Sequence, residues 1–327
     1  MIRIIDATLV YLDEYRPSAR QLAAFCCLLR EIGIDDMELS KRAYDELKPL
    51  PEGIRFYLLL EKRDKQSDYP GIYKFIYRNG AAEENSITEL QVNDIREVVK
   101  FRMYADCAHI RITGLDDLLC HNYAQVIKDI KQYLSKSKVN FQPEDFYKCS
   151  SGLAVTWIAN GGREVTTAFN GIGSKAKTEE VIMALRLAVR HKPNQKLNQF
   201  PELCRLFEEI TGSHILNHKP VIGKHIFFIE SGIHVDGILK NPSNYEPYPP
   251  DVVGQKTKIV IGKYSGINSI RKKLDEQKIS IVDEKKIKLL LKEVRRQSVE
   301  KRGSLSDKEF IGLAKEVISG EGNKIYS

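Results

Sequence analysis

The first forty residues constrain the fold most. Ile2-Arg3-Ile4-Ile5-Asp6-Ala7-Thr8-Leu9 reads as a buried strand. Ser18 and Gln21 then make a capping box, in which each polar side chain satisfies a free backbone N–H at a helix start. Leu22, Phe25, Cys26 and Leu29 follow at helical spacing, Gly33 ends the helix, and residues 34–39 return as a second strand. Two strands joined by a helical crossover run parallel, so the chain opens with a β-α-β unit. Such a start commits it to a parallel sheet or to a closed (β/α) barrel.

The alternation continues, with strands predicted at residues 54–60, 87–92, 109–113, 139–142 and 164–169. Helical patterns fall at 73–77, 94–103, 123–134, 152–160 and 179–189, the last with Thr178 as its cap and two acids in its first turn. Seven strands are counted. A (β/α)8 TIM barrel needs eight, so one unit is missing, degenerate or unrecognised.

From residue 196 the pattern changes. A short helix at 202–210 precedes a segment at 230–237 that reads as neither a regular amphipathic helix nor an alternating strand. A proline-rich stretch (241–250), a strand (258–261) and three further helices follow, the last opened by a second capping box at Ser306 and Glu309. The expected division is a degenerate TIM-barrel domain at 1–195 and a mainly α C-terminal appendage at 196–327.

Composition narrows the function classes. Hydrophobic residues at 42% and charged residues at 29% are ordinary globular values. No apolar run approaches the ~18–20 residues of a membrane helix. The six cysteines lack paired spacing, which points to a reducing cytoplasm. The net charge is +7, with its excess late in the chain, interleaved with acids and without aromatics. That describes a solvated helix face, so neither a nucleic-acid nor a membrane partner is expected.

Four motifs carry the functional reading: Phe-Asn-Gly-Ile-Gly (169–173) with the following Glu179-Glu180-Val181; Glu230-Ser231-Gly232-Ile233-His234-Val235-Asp236-Gly237; Asn241-Pro242 with Tyr245-Glu246; and Gly262-Lys263-Tyr264-Ser265-Gly266. On its own the 169–173 loop reads as a plain turn or as a weak anion cradle. Together with Asp6-Ala7-Thr8-Leu9 the motifs resemble the Claisen-condensing synthases of the isopropylmalate/homocitrate synthase family, a group of metal-dependent barrels. The resemblance is strongest from Gly152 to about Ser319 and eroded before it.

The departures fall on the metal site. Where the family has an arginine and a metal-binding carboxylate after its opening motif, this chain has Val10 and Tyr11. Phe146 and Lys148 stand at the family's His-x-His pair, and Thr178 at its last ligand. A hard divalent cation needs converging oxygen or imidazole ligands, which these side chains do not supply. A one-residue slip recruits Asp13 or Glu14 without restoring the histidines. The expectation is therefore that this barrel holds no metal. Trp157, where the family tends to have a small polar residue, is expected to fill the vacated site.

By the same resemblance His234 and Tyr245 match the family's catalytic histidine and its tyrosine partner, with Ser231 and Gly232 as weaker substrate-binding candidates. Imidazole suits proton transfer near neutral pH. The resemblance implies the appendage-bearing alpha subunit of a two-chain, nitrogenase-associated homocitrate synthase, an acyltransferase active only with a partner. The partner is an intact-barrel subunit that holds the divalent metal, and the substrates are acetyl-CoA and 2-oxoglutarate. Self-association through the appendage is the other arrangement. The alternatives are a non-catalytic pseudoenzyme that binds or regulates a synthase, an isopropylmalate- or citramalate-type subunit, and a self-contained enzyme using Glu38, Asp13 or Lys148.

Overall fold

The computed structural model describes residues 2–78, 85–193 and 196–319. The chain forms two compact units, Met1–Gly223 and Lys224–Ser327. The first is a closed barrel of eight parallel strands: β1 (Arg3–Asp6), β2 (Asp36–Leu39), β3 (Arg55–Leu60), β4 (Lys74–Arg78), β5 (Ser86–Val92), β6 (His109–Gly114), β7 (Lys138–Pro143) and β8 (Glu164–Thr167). Closure falls between β1 and β8, with Arg3 opposite Glu164 and Asp6 opposite Thr167.

The barrel is complete, not one unit short. The missing strand is β4, in the segment expected to be helical at 73–77. Phe75, Ile76 and Tyr77 are buried there between β3 and β5. Aromatic and β-branched residues fit a pleated surface, and an apolar run this short does not separate strand from helix by its period. Residues 94–103 also differ from expectation. Ile95–Tyr104 is a 3-10 helix, opened by the Asp94 carboxylate accepting from the Arg96 N–H at 2.8 Å.

The barrel's helices begin with α1 (Thr8–Tyr11), α2 (Ala19–Glu31) and α3 (Lys41–Leu47), followed by α4 (Tyr123–Tyr133), α5 (Ser150–Ala159), α6 (Thr178–Ala188) and α7 (Phe200–Thr211). The Ser18–Gln21 capping box forms as expected, with Gln21 Oε1 3.0 Å from the Ser18 N–H. Gly33 takes the left-handed φ of +88° that ends the turn after α2.

The first unit runs past the expected boundary at 195, because α7 belongs to it. Phe200, Leu203, Leu206 and Phe207 are buried, and the Phe207 ring meets Phe169 edge-on at 5.5 Å, which in turn meets Phe25 of α2 at 6.2 Å. Each such burial contributes about 1.5–3 kcal/mol, which anchors α7 to the barrel.

The second unit has its own core. It comprises a two-stranded parallel sheet, β9 (Phe228–Ile229) and β10 (Lys258–Ile259), with α8 (Gly232–Lys240), α9 (Ile267–Glu276), α10 (Glu284–Lys301) and α11 (Asp307–Ser319). Val235, Ile261, Ile270, Leu290, Val294, Phe310 and Ala314 close that core. The segment expected to be irregular at 230–237 is largely helical, as α8. Among the described residues no helix is long and apolar enough to cross a membrane.

Candidate functional site

The C-terminal ends of the strands surround a cavity of about 380 Å³ lined by Val10, Tyr11, Glu38, Arg78, Glu89 and Lys175, among others. Its charges are matched internally. Arg111, fully buried in the lumen, donates to Glu38 at 2.7 Å and lies 3.5 Å from Glu89. Arg78 pairs with Glu89 at 3.2 Å. Lys175 Nζ sits 2.8 Å from Glu144 Oε1, and Lys177 Nζ sits 2.5 Å from Asp145 Oδ2. Burial pushes Glu144 and Asp145 toward protonation, but hydrogen bonds from Lys175 on one, and from Lys177 and Ser150 on the other, hold both below the ordinary carboxylate range. These lysines leave the neighbouring carboxylates little capacity for a cation.

The positions that correspond to the family's ligands do not converge. Tyr11 lies against Gly173, whose φ of +68° and bare Cα make room for the ring; a Cβ there would come within 2.4 Å of it. Phe146 is 76% exposed and stacks edge-on with Tyr147, and Lys148 is exposed with φ of +59°. Thr178 is buried as the first residue of α6, not its cap. Its hydroxyl is 2.5 Å from Asp6 Oδ2 and 2.7 Å from Thr167 Oγ1. Asp13 pairs with Arg42. No group of three or more His, Cys, Asp or Glu side chains among the described residues is placed to hold a metal ion. The donor set at the mouth does not fit a divalent cation.

Trp157 does not fill the mouth. It packs on Phe141 with ring centroids 5.6 Å apart, beside the starts of β7 and β8 at the opposite end of the barrel. The expected role fails because α5 runs antiparallel to the strands, so Trp157, near its C-terminal end, lies far from the loops at the mouth.

Glu179 is a further buried carboxyl near this face. It accepts from the Asn170 N–H at 3.0 Å, and the Lys219 ammonium is 3.8 Å away. Burial pushes its pKa from 4.5 up to about 7 despite Lys219, and Asp6 is likewise pushed up to about 6 by burial, against hydrogen bonds from Thr178 and Thr8. Folded pKa values above unfolded ones mean the folded chain keeps protons that the unfolded chain has lost. Stability therefore falls as pH rises through that window and levels off above about pH 7. Glu179→Gln is expected to flatten this slope and to stabilise the chain at pH 8 by about 1–3 kcal/mol, read from urea unfolding at pH 5 and pH 8. An unchanged slope would refute it.

In the second unit the structure brings His234 and Tyr245 together. The rings lie 5.6 Å apart at 53°, with His234 exposed on α8 and Tyr245 44% exposed. Each glycine of the motif has a packing reason. A Cβ on Gly237 would come within 2.2 Å of the Tyr245 ring, and one on Gly232 within 2.8 Å of Gly266. The Gly232 N–H is donated to Tyr264 O at 3.1 Å, and Ser231 is the N-cap of α8 without a side-chain cap bond. Glu230 accepts from the Tyr264 N–H (2.8 Å) and the Ser304 hydroxyl (3.0 Å). Asp236 holds Lys240 at 2.7 Å and Asn268 at 3.1 Å. The nearby carboxylates thus build the scaffold, while the imidazole is exposed and the hydroxyl end of the Tyr245 ring lies over Gly237.

Sequence reasoning missed the lysine pairs at the mouth. The available signal was Lys175 and Lys177, alternating with Ala176 after the glycine loop, and the adjacent acids Glu144-Asp145. Pairing residues 31 and 32 positions apart is a property of the closed barrel, not of either segment.

Comparison with known proteins agrees with both units. Residues 221–302 match the family described as homocitrate synthase post-HMGL domain-like. The chain is 30% identical over 319 residues to the homocitrate synthase omega subunit of Clostridium pasteurianum, covering 90% of this chain and 89% of that protein. The subunit designation is omega, where alpha was expected. A 2-isopropylmalate synthase of Sulfurisphaera tokodaii is 31% identical over 60% of this chain and 50% of its own length. Homocitrate synthase AksA of Methanothermobacter thermautotrophicus is 35% identical over 50% of this chain and 42% of its own. This chain thus spans about half the length of these last two. Among solved structures, the HMG-CoA lyase of Bacillus subtilis shares the barrel, with a TM-score of 0.51 at 14% identity over 65% of this chain and 95% of that one. The chain belongs to the homocitrate synthase and 2-isopropylmalate synthase family of condensing-enzyme barrels.

Proposed function

We propose that this chain is the appendage-bearing subunit of a two-chain homocitrate synthase, acting in a reducing cytoplasm. It donates His234 and Tyr245 to the barrel of a partner subunit that holds the 2-oxo acid and the divalent cation. One contrast carries the reading: the mouth of this barrel neutralises its own carboxylates with Lys175, Lys177 and Arg111, whereas His234 and Tyr245 are paired and exposed. In this reading His234 moves a proton from the methyl group of acetyl-CoA, and Tyr245 positions the imidazole or the thioester. The carbanion then attacks the keto carbon of 2-oxoglutarate, the keto oxygen takes up a proton, and hydrolysis of the thioester so formed releases CoA and homocitrate, an acyltransferase reaction. Ser231 and Gly232 shape the approach to His234 through the packing of α8 on α9. In this reading the complex serves nitrogen fixation, as the resemblance implies.

The test is reconstitution. Condensation of acetyl-CoA is expected only when this chain is mixed with an intact-barrel partner, and it is expected to be faster with 2-oxoglutarate than with 2-oxoisovalerate or pyruvate. Turnover by this chain alone, resistant to chelators, would overturn the proposal. Preference for 2-oxoisovalerate or pyruvate would reassign the complex to isopropylmalate or citramalate synthesis.

The metal belongs with the partner. Calorimetric titration of this chain alone with Mn²⁺ is expected to give no saturable heat below millimolar concentrations, and EDTA is expected to leave its melting temperature unchanged. Stoichiometric binding would place the cation here.

A further inference from the structure

At the end of the barrel opposite the mouth lies a cavity of about 410 Å³, beside the starts of β1, β7 and β8. Its size falls in the range of small-molecule sites. Arg3, Lys131, Lys138 and Arg163 line it together with Trp157 and Leu134. The lining carboxylate, Glu164, is already taken: Arg3 reaches it at 3.3 Å, and His109 Nε2 is 2.9 Å from its other oxygen. Lys131 donates to the neutral carbonyl of Asn160 at 3.1 Å, which leaves its charge uncompensated. Lys138 and Arg163 are exposed and form no ion pair among the described residues. Lys138 also lies close enough to Glu164 to help hold its pKa down, but four lining cations against one lining carboxylate leave a net positive charge that focuses a positive potential there.

The floor is apolar and carries one orphan donor. Trp157 is 2% exposed, and its Nε1–H is buried without an acceptor. Gly162 lies against the indole so closely that a Cβ would come within 2.2 Å of Nε1. Gly162 thus covers Nε1, so the indole offers the cavity apolar surface and no hydrogen bond.

We propose that this cavity binds a small organic anion, with a phosphate or carboxylate head between Lys131, Lys138 and Arg163 and a flat apolar body against Trp157 and Leu134. The cavity shares no lining residue with the mouth of this barrel or with α8, so its occupant is an effector and not a substrate.

Trp157 is the one tryptophan of the sequence, so its emission reports on this cavity directly. The full chain titrated with phenyl phosphate is expected to show a saturable change in Trp157 emission, with a matching heat and a dissociation constant of about 1 mM or tighter. The charge-reversed variant K138E/R163E, altered at exposed positions, is expected to bind at least tenfold more weakly with an unchanged melting temperature. Inorganic phosphate is expected to bind at least tenfold more weakly than phenyl phosphate, because it lacks the apolar body. Phenylacetate tests the head group, and saturable binding of either aromatic anion supports the site. Absence of saturation with both, affinity unchanged in K138E/R163E, or equal affinity for inorganic phosphate would overturn it.

Discussion

His234→Ala, introduced into this chain and assembled with an intact-barrel partner, is expected to lower kcat by about two to four orders of magnitude, the usual contribution of a positioned general acid or base. The complex itself is expected to form as before. His234 is exposed on α8, and the unit's core is closed by Val235 and its apolar neighbours without the imidazole. Its loss removes a proton acceptor, not a packing element, so the melting temperature stays within about one degree of the wild type. Tyr245→Phe keeps the ring that lies on Gly237 and removes only the hydroxyl. A smaller loss of kcat, about ten- to a hundredfold, is expected there. An assembled complex that turns over equally well with both variants would exclude the catalytic role. The chain would then be a non-catalytic subunit that stabilises its partner.

The sequence exposes some parts of this architecture and hides others, for physical reasons. The Ser18–Gln21 box, α2 and its neighbouring strands are legible because local chemistry dictates them: a cap, a helical apolar face and a left-handed glycine. The strand at β4 is hidden because five residues do not resolve a period, and only pairing with β3 and β5 decides them. The segment at 230–237 does not read as a helix because Gly232 and Gly237 each cost about 1 kcal/mol of helix propensity. Their bare Cα atoms are what allow α8 to approach Gly266 and Tyr245 to lie on the helix. The family's vacated ligand positions are visible by comparison at Tyr11, Phe146, Lys148 and Thr178. What replaces the metal's charge is not visible, because Lys175 and Lys177 meet Glu144 and Asp145 only after the barrel closes. The resemblance places Trp157 at the mouth, and the direction of α5 moves it to the other end.

Arg111 offers the largest expected effect on stability. Its guanidinium is fully buried, with Nη1 2.7 Å from Glu38, 3.5 Å from Glu89, and Nε 3.1 Å from Asn140 Oδ1. Burial pushes the Glu38 pKa up, and Arg111 is the largest influence against that rise. Arg111→Ala leaves Glu38 buried without its counter-charge, and such a broken pair costs about 3–5 kcal/mol. Glu38 would then hold a proton in the folded state at a higher pH than it does now. The variant's deficit is thus expected to narrow as pH falls from 8 to 5, since protonation removes the unpaired charge. Arg111→Met combined with Glu38→Met removes both charges and fills the space with apolar atoms, and it is expected to recover most of the loss. Glu89 keeps Arg78 at 3.2 Å in that variant. Denaturant unfolding of the three proteins at pH 8 and pH 5 checks the prediction, and an Arg111→Ala deficit below about 1 kcal/mol at pH 8 would refute it. Full condensing activity of the double variant in the assembled enzyme would further place the charges at this mouth in the service of the fold, leaving the chemistry to the residues on α8 and after it.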